Sequence, residues 1–190
     1  VKANNRAELL ALLRAQPGRL SYASSGTGGI GHMFGELFKV STKTFILHIP
    51  YRGAGPALND TIGGQVDMIF DNLPSTLPFV QAGKLRAIAV AAPKRVDVLP
   101  NTPTFAELGI KDANIMAWYG LVAPAKTPDD IVKRIYEAAV KAIATPEVRE
   151  RFKHAGATPA GNTPQEYARQ IRSEMETWRR VVKLQNIQAE

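Results

Sequence analysis

Along the first ninety residues of this chain, apolar residues alternate between helical spacing and short continuous runs. Asn5 with Glu8 three residues later makes a capping box with asparagine as the cap. It opens a helix carrying Leu9, Leu10, Leu12 and Leu13, which Pro17-Gly18 stops. Residues 20–24 form a short run that reads as a first strand. Ile30, Met33, Phe34, Leu37 and Phe38 return to helical spacing and predict a helix to about Lys39. Residues 45–49 are the second strand, and Pro50-Tyr51-Arg52-Gly53 a turn. A helix follows, with Pro56 in its first turn and Gly63-Gly64 at its end. Residues 66–70 predict a third strand, residues 74–82 a helix closed by Gly83, and residues 85–91 a fourth strand apolar enough to be buried on both faces.

Beyond residue 93 the pattern changes. Residues 93–103 are proline-rich and irregular, residues 104–108 predict a short helix ending at Gly109, and residues 115–122 a strand containing Trp118 and Tyr119. Thr127-Pro128-Asp129-Asp130 marks a helix start with a cap, an N1 proline and first-turn acids. Thr145-Pro146 starts a second helix. Thr163 with Glu166 is a capping box that opens a long third one, with Tyr167, Ile171, Met175, Trp178 and Val182 on its apolar stripe. Everything after Pro124 is thus mainly helical.

Strict alternation of helix and strand implies parallel strands joined by helical crossovers. Ligands of such sheets sit beyond the carboxyl ends of the strands. Three of those ends carry polar, loop-forming residues: 24–29, 50–53 and Asp71-Asn72. They are expected to converge.

The first of these loops carries the most chemistry. Gly26, Gly28, Gly29 and Gly31 stand between a strand and a helix. Glycine lets backbone N–H groups approach a bound group, and a helix N-terminus adds about half a positive charge. Together they suit a carboxylate, sulfate or phosphate, although a plain strand-to-helix turn has the same letters. Gly26, Gly28 and Gly31 also spell G-x-G-x-x-G, but the ribose-binding acid expected about 20 residues on is missing. Arg52 could meet a 2′-phosphate instead, so a dinucleotide stays open on spelling alone. No Gly-Lys-Ser/Thr follows, so this is not a P-loop.

Composition narrows the classes. With 45% hydrophobic and 22% charged residues the chain can form a core. It has no cysteine, which removes disulfides and thiolate metal sites, and no metal-ligand spacing points to a metal or other cofactor. No run approaches the roughly 18 apolar residues of a membrane span. The first ten residues carry no apolar signal core, so the protein is either cytoplasmic or has lost its leader. The net charge of +7 favours anionic partners. Its basic residues are scattered, and the densest group (Arg149, Arg151, Lys153, His154) is interleaved with Glu147 and Glu150. That reads as a solvated helix face rather than a nucleic-acid surface. For catalysis the loop offers Ser24, Ser25 and Thr27 as nucleophiles, and His32 with Asp71 as a conceivable base and acid. A histidine packed near a helix N-terminus is the plainer reading of His32.

Read together, the motifs resemble the Bug-type solute receptors of tripartite tricarboxylate transporters. The resemblance rests on YASSGTGGIGH (22–32), GELFK (35–39), HIPYRGAGPAL (48–58), GGQVDMIFDNLPS (63–75), AGKLRAIAV (82–90), PTFAELG (103–109), WYGLVAPAKTP (118–128) and GNTPQEY (161–167). It covers nearly the whole chain and speaks against the dinucleotide. It implies an α/β fold of the type II periplasmic-binding-protein class, a parallel-rich sheet flanked by helices. It also implies a periplasmic receptor without catalytic activity, which captures a small organic acid between two lobes and delivers it to the membrane components of the transporter.

Family members begin with a strand and a proline- and glycine-rich loop that nothing here matches. By resemblance, residues 1–115 are one complete Rossmann-like lobe and residues 116–190 the C-terminal, mainly helical part of the other, whose N-terminal part is absent. Self-association through the faces left open is then expected. The resemblance further implies that backbone amides and bridging waters grip the ligand's carboxylate. On this chain Ser25, Gly26, Thr27 and Gly28 would supply donors, Tyr51 and Gly53 the opposite wall, and Asp71 and Asn72 contacts to a polar end of the ligand. Asp71 is ill-suited to an anion and points to an amino or hydroxyl group. A valine at Gly28 is expected to weaken binding by a clash and a lost donor. Two other readings share this architecture: the effector-sensing domain of a transcription regulator, and an acyl or amino-group transferase.

Overall fold

Three parallel strands lie in the order β2-β1-β3: β1 (Ser21–Ser24), β2 (Leu47–Pro50) and β3 (Met68–Ile69). The computed structural model describes Val1, Ala3 and residues 5–110 and 116–187. Helices alternate with the strands: α1 (Arg6–Ala15), α2 (Ile30–Thr42), α3 (Ala54–Ile62) and α4 (Leu73–Gln81). The register sets Tyr22 opposite His48 and Ser24 opposite Pro50 on one side of β1, and Ala23 opposite Ile69 on the other.

Successive residues of a strand face opposite ways, and β1 shows both faces covered. Ala23 packs with Ala57 of α3 and with Val66. Tyr22 meets α2, where its hydroxyl donates to Glu36. A Cβ at Gly35 would collide with the hydroxyl end of the Tyr22 ring, so only glycine lets α2 lie this close. Phe34, Phe38, Phe70 and Phe105 continue that layer, with ring centroids 5.6–6.3 Å apart.

The cap of α1 forms as expected: Asn5 Oδ1 accepts the Glu8 N–H at 3.0 Å. Glu8 returns to the Asn5 side-chain amide at 2.7 Å.

The expected fourth strand is absent. Residues 85–91 carry no ladder, only a single parallel bridge between Val90 and Thr104. Val90 N–H donates to the Pro103 carbonyl at 3.0 Å and Phe105 N–H to Val90 at 3.1 Å. The segment is half-buried on average, so its apolar run reports packing rather than a two-sided sheet position. Strand β3 has shrunk to two residues for the same want of a second neighbour. Residues 104–108 make one capped turn rather than a helix: Thr104 and Glu107 exchange both capping-box bonds, and Gly109 at φ +77° then reverses the chain.

The chain divides into two units, Val1–Ala117 with Arg180–Glu190, and Trp118–Arg179. The second holds α5 (Asp129–Ile143), α6 (Pro146–His154) and most of α7 (Pro164–Gln185). Residues 116–122 form no strand, and Ile115 lies outside the described residues. Pro128 takes the N-cap position of α5, and no side chain caps it, so the expected Thr127 cap does not form. The Thr163–Glu166 capping box does form, with bonds of 2.8 and 3.2 Å. Trp118 Nε1 donates to Glu174 at 2.7 Å, and its ring meets Tyr167 edge-on.

Candidate functional site

Parallel pairing brings the strand ends together. Just past the ladder, Tyr51 N–H donates to the Ser24 carbonyl at 3.0 Å and Gly53 N–H to the Ser25 carbonyl at 3.1 Å. On the other side of β1, Phe70 N–H donates to the Ala23 carbonyl at 3.3 Å. Residues 25–28, 51–53 and 71–72 therefore leave the sheet at one end. Gly31 tightens the arrangement, since a Cβ there would collide with the Phe70 carbonyl. The start of α2 is pressed against the end of β3.

Within the glycine loop, Gly26 has φ +146° and Gly28 φ +75°. The Gly26 N–H reaches Ser24 Oγ at 3.3 Å, and the Gly28 N–H donates to His32 Nδ1 at 3.0 Å. Two of the donors expected for an anion are thus held inside the chain. A Cβ at Gly28 would meet nothing within 4 Å. The clash expected of a valine there is absent, and what remains is the strain of a branched residue at positive φ. Ser25 and Thr27 are half-buried beside them.

The Tyr51 hydroxyl donates to Asp60 Oδ2 at 2.8 Å. Burial, then this bond and the Asp60 charge, raise its pKa. Gly53 has φ +104° with open space around it, and Arg52 is exposed. Asp71 is the most unusual group. Its Oδ2 is buried and has no hydrogen-bond partner. Burial raises the pKa of this carboxyl, and the Asn72 N–H opposes the shift only in part. Asn72 itself is the N-cap of α4, without a side-chain cap bond.

Beneath the loop lies a polar cluster of which the sequence pointed only to Ser24 and His32. Ser24 Oγ and His48 Nε2 are 2.7 Å apart. His48 stacks on His32 with centroids 4.0 Å apart and planes 4° from parallel. Tyr22 stacks on the other side of His48 at 4.8 Å. The Tyr22 hydroxyl donates to Glu36 Oε1 at 2.8 Å, and Lys39 Nζ lies 2.7 Å from Glu36 Oε2. Burial, reinforced by Glu36, drives the Tyr22 pKa up. Burial lowers the pKa of His32. The same cause, with His32 adding to it, takes His48 down to about 4. Sequence placed His32, not His48, beside the loop serines. Ser24 is fully buried, so its bond to His48 is structural rather than that of a nucleophile with its base. Part of the signal was available, since Tyr22 and Ser24 share a strand face and His32, Glu36 and Lys39 a helix face, but neither pattern brings in His48 of β2. Among the described residues no group of His, Asp and Glu is arranged to hold a metal, and no helix is long and apolar enough to cross a membrane.

A family model described as "Tripartite tricarboxylate transporter family receptor" matches residues 1–187. Among curated relatives, the "UPF0065 protein in tcbD-tcbE intergenic region" of Pseudomonas sp. (strain P51) is 37% identical over 176 residues, 92% of this chain and 52% of that one. Protein BugT of Bordetella pertussis is 33% identical over 183 residues, 96% of this chain and 56% of that one. The chain spans about half the length of these relatives. Solved structures agree in fold. A periplasmic transporter has 46% identity and a TM-score of 0.91, over 98% of this chain and 62% of that chain. Rpa4515 of R. palustris, solved with adipate, has 33% identity and a TM-score of 0.90, over 96% and 61%. MatC (Rpa3494) from Rhodopseudomonas palustris, solved with bound malate, has 30% identity and a TM-score of 0.86, over 95% and 63%. The matching family is described as one of transporter receptors.

Proposed function

Because the chain belongs to the tripartite tricarboxylate transporter receptor family, we propose that it is a periplasmic receptor for a small di- or tricarboxylate or a related organic acid. It delivers that ligand to the membrane components of a transporter of this type. The observation that carries this reading is the meeting of three polar loops at one end of the parallel sheet, one of them glycine-rich and leading into α2. Adipate and malate in the neighbouring structures support the ligand class.

In this reading the Ser25–Gly28 loop grips a carboxylate, Ser25 and Thr27 supplying donors and Gly26 and Gly28, whose N–H groups are held by Ser24 and His32, shaping the loop around it, while Tyr51 and Gly53 line the wall facing it. Asp71 and Asn72 receive the polar end of the ligand. The buried, unpartnered Asp71 oxygen favours a ligand that brings a hydroxyl or amino donor.

Calorimetric titration with malate, adipate and citrate tests the reading. The wild type binds at least one of them, and Gly28→Val weakens it roughly tenfold or more, the equivalent of about 1.4 kcal/mol per decade. A wild type that binds none of the three, or a valine variant of unchanged affinity, overturns it.

A further inference from the structure

The Gly28 N–H donates to His32 Nδ1 at 3.0 Å. That bond requires a bare lone pair on Nδ1. A proton there would set an N–H against an N–H, and the bond would break. The loop's geometry at Gly28, at φ +75°, therefore depends on a neutral ring.

The surroundings of the ring favour neutrality. His48, from β2, lies flat against His32 at 4.0 Å, and two charged rings so close would repel. On its own helix, His32 Nε2 is 3.8 Å from Glu36 Oε1, which would favour a charge. That carboxylate is already met by Lys39 at 2.7 Å and by the Tyr22 hydroxyl of β1 at 2.8 Å. His48 sees the same Glu36 and Lys39 across the sheet face, with Tyr22 and Ser24 of β1 on its other sides. His32 is 6% exposed, so solvent does little to help it take a charge.

Each link also has a position in the chain that suits it. His32 sits in the first turn of α2, four residues after Gly28. His48 is held across from Tyr22 by the strand register and anchored by Ser24, the last residue of β1 before the loop. A change of protonation in the stack would thus reach the loop at both of its ends, through Gly28 and through Ser24.

We propose that neutral His32, backed by His48, is a positioning residue for the β1–α2 loop, and that the stacked histidine pair releases this loop when it takes up a proton. Neither ring touches the ligand. Their effect on binding passes through the shape of the loop, so this inference rests on the reading of that loop as the carboxylate grip. The lowered pKa values of both histidines put the release below the usual histidine range.

Nitrogen-15 NMR of the full chain tests the device without any ligand. At pH 7 His32 carries its proton on Nε2. On titration toward pH 4 the Gly28 amide signal moves together with the His32 ring nitrogens. In His32→Asn, whose side-chain oxygen can replace Nδ1 as acceptor, the Gly28 signal stays near its wild-type position and no longer responds to pH. In His32→Phe it shifts at all pH values. A proton on Nδ1 at pH 7, or a Gly28 amide that does not move through the wild-type titration, overturns the proposal even if the variants fail to fold. A second readout is malate affinity, with His32→Asn correcting for titration of malate itself. The wild type loses several-fold relative to that variant between pH 7 and pH 4.5, and a constant ratio counts against the device. A wild type that shows the NMR coupling but no affinity for malate, adipate or citrate sinks the receptor reading and leaves the latch standing.

Discussion

Asp71 shows how a single residue can be set against the stability of its own fold. Its Oδ2 is buried without a partner, and burial raises the pKa of the carboxyl. A carboxyl raised in the folded state binds more protons there than in the unfolded chain. Stability from this group is therefore present below the unfolded value near 4 and declines as pH rises through the folded one. Asp71→Asn removes the buried charge. It is expected to raise the stability at pH 7 by roughly 1 kcal/mol, the lower end for a buried polar group left unmade. The gain fades as pH falls toward the ordinary carboxyl range, because the raised pKa makes wild-type Asp71 take up its proton earlier than a free carboxyl. Thermal melts of both proteins at pH 4 and pH 7 check this. An equal difference at pH 4 and pH 7 would mean that the charge is not the cause. The same variant is expected to lose affinity for a hydroxy acid such as malate more than for adipate, because a carboxylate accepts a hydroxyl hydrogen better than an amide does.

At the scale of elements, the glycines of α2 and α3 separate space that is needed from space that is merely present. A methyl at Gly31 would strike the Phe70 carbonyl, which belongs to the backbone and cannot turn aside. Gly55 in α3 has nothing within 4 Å and an ordinary φ. Gly31→Ala is therefore expected to destabilise by about 1–3 kcal/mol, as overpacking does, and Gly55→Ala to be neutral or to stabilise by up to about 1 kcal/mol. Urea unfolding of the pair decides it, and similar midpoints for the two variants would refute the close approach of α2 to β3. The periodicity showed α2 plainly, because its apolar side packs on one face of the sheet, and α3 was marked by Pro56 at its start and Gly63-Gly64 at its end. It overstated residues 85–91, since an apolar run is the same whether a strand pairs or only packs. Of the site, the convergence of loops was legible, because parallel strands joined by helices must end together. The Ser24–His48 bond and the histidine stack were not. They depend on register, which sets Tyr22 opposite His48, and a sequence read one element at a time does not contain it.

At the scale of the whole molecule, two opposing forces act on the exposed surface. In the Trp118–Arg179 unit, Tyr119, Leu121 and Val122 are 73–84% exposed, α5 buries no residue, and Ile135 is 46% exposed. In the other unit, β2 is an edge strand whose first residue, Leu47, is exposed. Contiguous apolar surface and an open strand edge both favour self-association. Against them stands a net charge of +7, which holds copies apart. Charge repulsion between surfaces is screened within about 10 Å at 0.1 M salt, whereas apolar attraction is not weakened by salt. The balance therefore shifts with ionic strength. Sedimentation equilibrium is expected to show a weight-average mass that rises with protein concentration, and rises more steeply as salt is added. Replacing Leu121 and Val122 by lysine adds charge where the apolar surface lies and should flatten that rise. Association that weakens with added salt would instead identify ion pairing as its cause, and a monomer under every condition would show that the charge prevails even when screened.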